Sequence, residues 1–488
     1  MKHKIILAII LGLALFLRVY RTQDFLGFWY DQGRDALVIW DLLHKHKFFL
    51  IGPTTGIEGI FLGPFYYYLT APAYLLGNGH PVYPAIWLAT INVCAIFTLF
   101  LIGRRYFSPA TGLIAATLVA FSFELVKYQR WLSNPTPLPL FALIAFSSLL
   151  EIIHNSPKLR NWLLLGLGIG LSLQLEAASA IFFVPATLLT LAVYRKSSVI
   201  NVKNASLALL FFGLTLMPQI IFNFRHGNIL LNSFSRFLIK ENSFQPSLYN
   251  FYSQRLNLYY QEFTHKFYAD PRSSLFFTVS LITFIFFVRK KIPVKPVFAS
   301  FIWWATPLIF LLFYHGNKGY VWGYYFTGIY PVFALIVSAF WAVSFRYLRW
   351  SRGIILILLF VFLYQNLSQL KTYLTHPGPY GVSLTSQIQA VDWIYQDASD
   401  REFNTDAYVP PMIPYAYDYL FLWRGKNIFH STPTVPLVPL LYTIQEPDPG
   451  HQTLFDTWFT RQSYYSSVEE TKLFGPLTVQ RRARHNIE

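Results

Sequence analysis

Only one cysteine and three methionines stand among 488 residues. That scarcity excludes a disulfide framework, a thiolate metal cluster and a cysteine-based redox centre. Charge is scarce too, at 13% Asp, Glu, Lys and Arg, which is roughly half the share in a soluble protein. Length alone would suggest about three soluble domains, but so few ions could not solvate surfaces of that extent. Low-complexity segments and internal repeats are absent, and a transporter built from paired halves would show such repeats. Acids are the scarcer sign, 23 against 39 Lys and Arg, for a net charge of +16. What is abundant is apolar. Hydrophobic residues make up 54% and aromatic residues 19%, a bias expected where rings sit at membrane interfaces. The composition is that of an integral membrane protein.

The net charge invites a nucleic-acid reading until the charges are located. The tail from residue 371 holds 9 Lys/Arg and 12 Asp/Glu, leaving 30 bases and 11 acids before it. The basicity therefore belongs to the membrane-embedded part, where it records topology and implies no nucleic-acid partner. Ile5–Leu17 follows a basic start and continues into Arg18-Val19-Tyr20-Arg21 with no small-residue cleavage site, so an uncleaved first span is expected. Further apolar stretches lie near 83–103, 109–126, 138–153, 161–175, 177–194, 204–222, 273–288, 297–314, 321–345 and 353–370. Each is of roughly spanning length.

Ile60–Gly77 is apolar as well but contains Pro64, Pro72 and the run Tyr66-Tyr67-Tyr68. If it lies along the outer interface, every basic cluster falls on the cytoplasmic side. These clusters are Lys2/Lys4, Arg104/Arg105, Lys158/Arg160, Arg195/Lys196/Lys203, Arg289–Lys291/Lys295 and Arg346/Arg349/Arg352. The expected architecture is an all-α polytopic bundle of about eleven spans, with the N-terminus inside and the C-terminus outside. Residues 1–370 would form the membrane domain, with interfacial helices in a first outer loop at 20–82 and a long outer loop at 223–272. Residues 371–488, with the short apolar runs Phe403–Val409 and Tyr415–Trp423, read as a small extracytoplasmic α/β domain. Ten of the eleven acids before residue 371 then lie on the outer face, Glu151 being the exception. Chemistry is expected there.

In the first outer loop, Asp31 precedes an amphipathic stretch, Ala36–Leu43, that reads as a helix at the interface. Asp31 is either the N-cap of that helix or a general base in an aromatic-lined cleft. Arg34 and Asp35 read as a solvated pair or as part of the same site. Tyr67, in a segment rich in turn residues and aromatics, belongs either to an interfacial belt or to a surface that meets sugar or lipid. Asn134 occupies the second outer loop beside Arg130. Gln174 and Glu176 sit at the outer end of a helical hairpin, and a carboxylate at that depth is a site candidate by default. Arg225 and His226 open the third loop, and Lys318 precedes Tyr324 and Tyr325. Each of these cations has snorkelling as its ordinary explanation. Together Arg130, Arg225, His226 and Lys318 offer donors for one anion, because Arg and Lys are the usual phosphate holders.

Four segments carry a resemblance: Trp29-Tyr30-Asp31-Gln32, Gly63-Pro64-Phe65-Tyr66-Tyr67-Tyr68-Leu69, Gly103-Arg104-Arg105-Tyr106-Phe107, and Lys318 ahead of Tyr325 and Tyr330-Pro331. In their order and spacing the chain resembles the membrane glycosyltransferases of the C-type superfold. The nearest branch is the bacterial one, related to protein O-mannosyltransferases and lipid A aminoarabinose transferases (glycosyltransferase family 39-like), over roughly residues 1–350. The resemblance implies an N-in bundle, a catalytic Asp in the first outer loop and a polyprenyl-phosphate-linked sugar donor. Two departures stand out. Gln32 follows Asp31 where the family has a second acid, and the second outer loop has Asn134-Pro135 where another acid is common. No cofactor is expected, since a divalent ion would want more than one carboxylate.

The chemistry follows from the residues. A sugar leaving a lipid phosphate develops negative charge on that phosphate, which fixed cations stabilise. The attacking hydroxyl must lose a proton, which asks for one carboxylate. The expected assignment makes Asp31 the base and Arg225, Lys318 and Arg130 the phosphate holders, with inversion at the anomeric carbon. The acceptor is a protein, lipid or glycan hydroxyl. Rival readings are a lipid-linked glycan polymerase or ligase, a lipid-linked sugar transporter, and a membrane anchor for the tail.

Overall fold

The computed structural model describes residues 2–154, 158–195, 201–378, 381–410 and 413–485; Lys196 of the fourth basic cluster lies outside them. Helices form within each of the apolar stretches expected to cross the membrane. By length and composition, six of the described helices can cross a membrane: Val82–Tyr106, Val202–Arg225, Pro271–Val288, Val294–Leu311, Tyr330–Tyr347 and Ser351–Leu374. Pro109–Phe121 and Phe123–Gln129, bent by 66° at Ser122, make a seventh if taken as one. Leu138–Ile153, Leu159–Leu175 and Ala177–Val193 are apolar but shorter, and Lys2–Val19 packs against the first of the bent pair. The protein is a multi-pass membrane bundle.

Position within the bundle follows apolar pattern. Every residue from Tyr330 to Trp341 is buried, as expected of a helix apolar on all sides, and Tyr330–Tyr347 packs against Pro109–Phe121, Pro271–Val288 and Val294–Leu311. Val202–Arg225 is peripheral, with Ala208 its only buried residue. It lies close on Leu159–Leu175, where a Cβ added to Gly166 would come within 2.1 Å of the Ala208 carbonyl. Small residues permit such close helix approach in membranes.

The outer connections differ from the simple pattern. The interfacial helix of the first loop begins at Tyr30, well before Ala36, and runs to Lys45. Ile60–Gly77 divides into a loop and the helix Phe65–Leu76. The apolar run expected to be helical from 321 becomes an α-helix only at Tyr330. Lys318 and Gly319 have φ of 49° and 80°, which breaks the helical path and leaves 320–325 as an aromatic outer segment. The third loop folds into Ile229–Ser235 and Leu248–Thr264 joined by a π turn.

The C-terminal part is α/β. The run at 403–409 is strand β1 (Asn404–Tyr408), and that at 415–423 is the helix Tyr415–Arg424. With β2 (Leu440–Gln445), β3 (Ser466–Phe474) and β4 (Leu477–Arg484) it forms a sheet of order β1-β2-β4-β3. The β1–β2 pair is parallel and the others antiparallel. Helix Leu384–Ala398 covers one face, where Trp393 meets Tyr442 at 5.8 Å between ring centres.

Candidate active site

The connections between the helices line a cavity of about 300 Å³ of mixed polar and apolar character. Asp31, Thr54, Ser133, Asn134 and Glu176 are among its polar lining residues, and Phe234, Phe237, Phe310 and Leu311 among its apolar ones. Tyr320, Trp322, Tyr324 and Tyr325 add an aromatic part to its wall. Ser133, Asn134 and Glu176 arrive by breaks in helices. Ser122 caps Phe123–Gln129 through its Oγ, 3.2 Å from the Leu125 N–H, and that bend delivers the chain to Ser133 and Asn134. Glu176 interrupts the hairpin between Leu159–Leu175 and Ala177–Ala180, accepting from the Ala178 N–H at 3.1 Å as its N-cap. Asn134 donates to the Leu175 carbonyl at 2.8 Å and to Glu176 Oε2 at 3.3 Å.

Asp31 stands in the first turn of Tyr30–Lys45 and is not its N-cap. The cap position is Trp29, whose N–H donates to Gln32 Oε1 at 3.1 Å. The Asp31 side chain is 60% exposed and forms an ion pair with Arg34, Oδ1 lying 2.9 Å from Nη1. Arg34 and Asp35 are not the solvated pair considered from sequence. Asp35 is buried and its Oδ1 accepts from Arg34 Nε at 3.0 Å, Arg34 Nη2 at 2.8 Å and the Tyr67 hydroxyl at 3.2 Å. Arg34 Nη1 also donates to Thr54 Oγ1 at 2.6 Å. One guanidinium thus ties the exposed carboxylate, the buried carboxylate and the cavity wall together. Burial pushes the Asp35 carboxyl up to about 7, although Arg34 and Tyr67 both pull it down. Burial likewise pushes Glu176 up to about 7, against the Ala178 and Asn134 hydrogen bonds. Burial holds the Tyr324 hydroxyl well above its ordinary range, and Tyr325, Glu176 and Asp31 add to the effect.

The other candidates separate. Tyr325 lines the cavity, and Lys318 is exposed at its rim between the wall residues Asn317 and Tyr320. Arg130 is not a phosphate holder here. It is buried, its Nη1 and Nη2 donating to the Leu17 and Tyr20 carbonyls at 2.8 Å each, which satisfies the end of Lys2–Val19. Gln174 is likewise structural, accepting from the Phe65 N–H at 3.1 Å and donating to the Thr215 carbonyl. Arg225 and His226 lie outside the cavity wall, exposed at the end of Val202–Arg225, and His226 stacks on Phe222 at 4.0 Å. Tyr67 acts through Asp35 and does not reach the cavity wall.

Sequence reasoning missed Thr54, although its turn-rich segment stood out. It also missed a cluster on the far side of Tyr324, where Tyr330 donates to Glu262 Oε2 at 2.7 Å and Lys266 Nζ lies 3.4 Å away. The scarcity of acids was the one signal that pointed to Glu262.

The donor set suits a divalent cation poorly. Such ions take six or more oxygens, whereas Asp31 already pairs with a guanidinium and both Glu176 oxygens accept hydrogen bonds. No group of three His, Cys, Asp or Glu converges among the described residues.

With this geometry the chain compares with known proteins as follows. Residues 63–222 match the dolichyl-phosphate-mannose-protein mannosyltransferase family. The fold resembles ArnT. The Cupriavidus metallidurans enzyme bound to undecaprenyl phosphate superposes with a TM-score of 0.61 at 11% identity, covering 98% of this chain and 97% of that one. Its apo form gives 0.62 over the same shares. The archaeal oligosaccharyltransferase AglB from Archaeoglobus fulgidus, in complex with an inhibitory peptide and a dolichol-phosphate, gives 0.51 at 13% identity, covering 91% of this chain and 69% of that one. No curated protein matches in sequence. The resemblance read from the motifs is borne out, both in the family matched at 63–222 and in the fold over nearly the whole chain.

Proposed function

We propose that the chain is a membrane glycosyltransferase that moves a sugar from a polyprenyl-phosphate donor to an acceptor hydroxyl. The carrying observation is the cavity itself, whose lining combines the carboxylates Asp31 and Glu176 and the Asn134 amide with apolar and aromatic side chains. The carboxylates and amide suit a sugar and the apolar side chains an isoprenoid chain, with Lys318 at the rim for the phosphate. The matched family and the lipid carriers bound by ArnT and AglB support the same reading.

In this reading eleven helices cross the bilayer with the N-terminus inside, and the cavity opens on the extracytoplasmic face. Asp31 accepts the proton of the attacking hydroxyl. The bond from the anomeric carbon to the phosphate oxygen breaks as the bond to the acceptor oxygen forms, inverting the centre and releasing polyprenyl phosphate. Asn134, with Glu176 beside it, holds sugar hydroxyls. The Lys318 ammonium attracts and holds the donor phosphate. The acceptor is a protein, lipid or glycan hydroxyl.

Lys318→Ala tests the phosphate position. As a rim cation it contributes to capture of the donor, so KM for the donor rises roughly tenfold with kcat little changed, equal to about 1.4 kcal/mol. The difference shrinks at high salt, where exposed charges are screened. An unchanged donor KM at low salt removes Lys318 from the phosphate site.

A further inference from the structure

We infer that the C-terminal α/β unit positions Asp31 for reaction, through Gly33 and Gln387. The inference rests on Asp31 being the base. Residues 26–29 lead directly into the helix that carries Asp31, and three bonds from 382–387 hold them. The Leu26 carbonyl accepts from the Leu384 N–H at 3.0 Å, and the Phe28 carbonyl accepts from Gln387 Nε2 at 2.9 Å. The Trp29 indole Nε1 donates to the Val382 carbonyl at 3.2 Å. Gln387 is wholly buried, and its Nε2 also reaches Glu446 Oε1 at 3.4 Å, where the Tyr417 hydroxyl donates at 2.8 Å. These bonds from the buried Gln387 amide hold the Phe28 carbonyl and Glu446 in one arrangement.

The second hold acts on the helix itself. Gly33, two residues beyond Asp31, abuts the start of Tyr415–Arg424 so closely that an added Cβ would lie 2.3 Å from the Ala416 nitrogen and 2.4 Å from the Tyr415 carbonyl carbon. Both are backbone atoms, so no side chain can yield. The Tyr30 ring meets Tyr415 at 5.0 Å between centres. Asp31 is therefore gripped from before and after by the C-terminal unit, while its own carboxylate stays in the cavity wall. An Ala at this helical position is intrinsically the better helix former, so local propensity and packing predict opposite outcomes. A misplacement of about 1 Å at a reacting group can cost ~100-fold in rate.

The experiment compares full-length wild type, Gly33→Ala, Gln387→Ala, Asp31→Asn and Asp31→Glu in nanodiscs. The probe is the labelled polyprenyl-phosphate monosaccharide that the wild type turns over. Gly33→Ala and Gln387→Ala are expected to lower kcat 10- to 100-fold with donor KM within about twofold. Asp31→Glu, which lengthens the base, lowers wild-type turnover but raises that of Gly33→Ala several-fold, a rescue that a merely structural role would not give. If Gly33→Ala fails to insert, the kcat of Gln387→Ala decides. Unchanged kcat in the inserted variants, or KM rising in step with kcat loss, overturns the positioning role while an inactive Asp31→Asn leaves the base intact. Transfer by Asp31→Asn at the wild-type rate removes the base itself.

Discussion

Asp31→Asn lowers sugar transfer by about 10²- to 10⁴-fold, the usual worth of a positioned general base, while the protein inserts and unfolds almost as the wild type does. The two halves of that result have separate causes. Asparagine keeps the size and polarity of the side chain but cannot take the hydroxyl proton. The ion pair it gives up is open to solvent, Asp31 being 60% exposed, and exposed pairs contribute only about 0–1 kcal/mol. Donor KM should move little, because the proton is transferred in the transition state and not on binding. Rate measurements over a range of donor concentrations, with a thermal unfolding scan on the same samples, check it. Transfer within a fewfold of wild type would sink the assignment.

Arg34→Met has the second large effect, this time on stability and with a marked pH dependence. It strips Asp35, whose side chain is 8% exposed, of its only ion-pair partner among the described residues. Removing one member of a buried pair costs about 3–5 kcal/mol because a buried charge is left uncompensated. The loss depends on Asp35 being ionised. Its folded pKa is already about 7, above the ordinary carboxylate value near ~3.9 of an unfolded chain, and loss of Arg34 raises it further. A folded pKa above the unfolded one means that the native state binds more protons between the two values, so stability falls as pH rises through that window. The variant is therefore close to wild type at pH ~5, trails it by up to about 1.4 kcal/mol at pH ~8, and approaches the full loss only at higher pH. Arg34→Met with Asp35→Asn recovers most of the loss at the higher pH. Chemical unfolding in detergent at both pH values measures this, and an equal deficit at both would show that Asp35 does not carry the effect.

The helices were legible because apolar run length and basic clusters both report the membrane. The acids were legible for a related reason: few occur, and Asp31 and Glu176 sit where a carboxylate needs a purpose. The cations were not. Arg130, Arg225 and Lys318 look alike in sequence, yet one closes the carbonyl end of a helix, one is exposed away from the cavity and one stands at its rim. Local sequence carries no record of which carbonyls lie nearby in space. The aromatic wall at 320–325 was hidden inside an apolar run that hydropathy extends without a break. Left-handed backbone at Lys318 and Gly319 ends that run early, and hydropathy does not see dihedral angles. Docking of the C-terminal unit on the Asp31 helix left a single trace, Gly33, which looks in sequence like an ordinary turn residue.

The central claim is that this cavity cleaves a polyprenyl-phosphate sugar. Purified protein in nanodiscs, incubated with a panel of radiolabelled polyprenyl-phosphate monosaccharides and a cell-envelope extract as acceptor, tests it most directly. The expected result is time-dependent release of free polyprenyl phosphate from at least one donor, matched by label in the acceptor and absent with Asp31→Asn. Label that crosses the membrane still attached to its lipid, or transfer only of preassembled glycans on pyrophosphate carriers, would contradict the account.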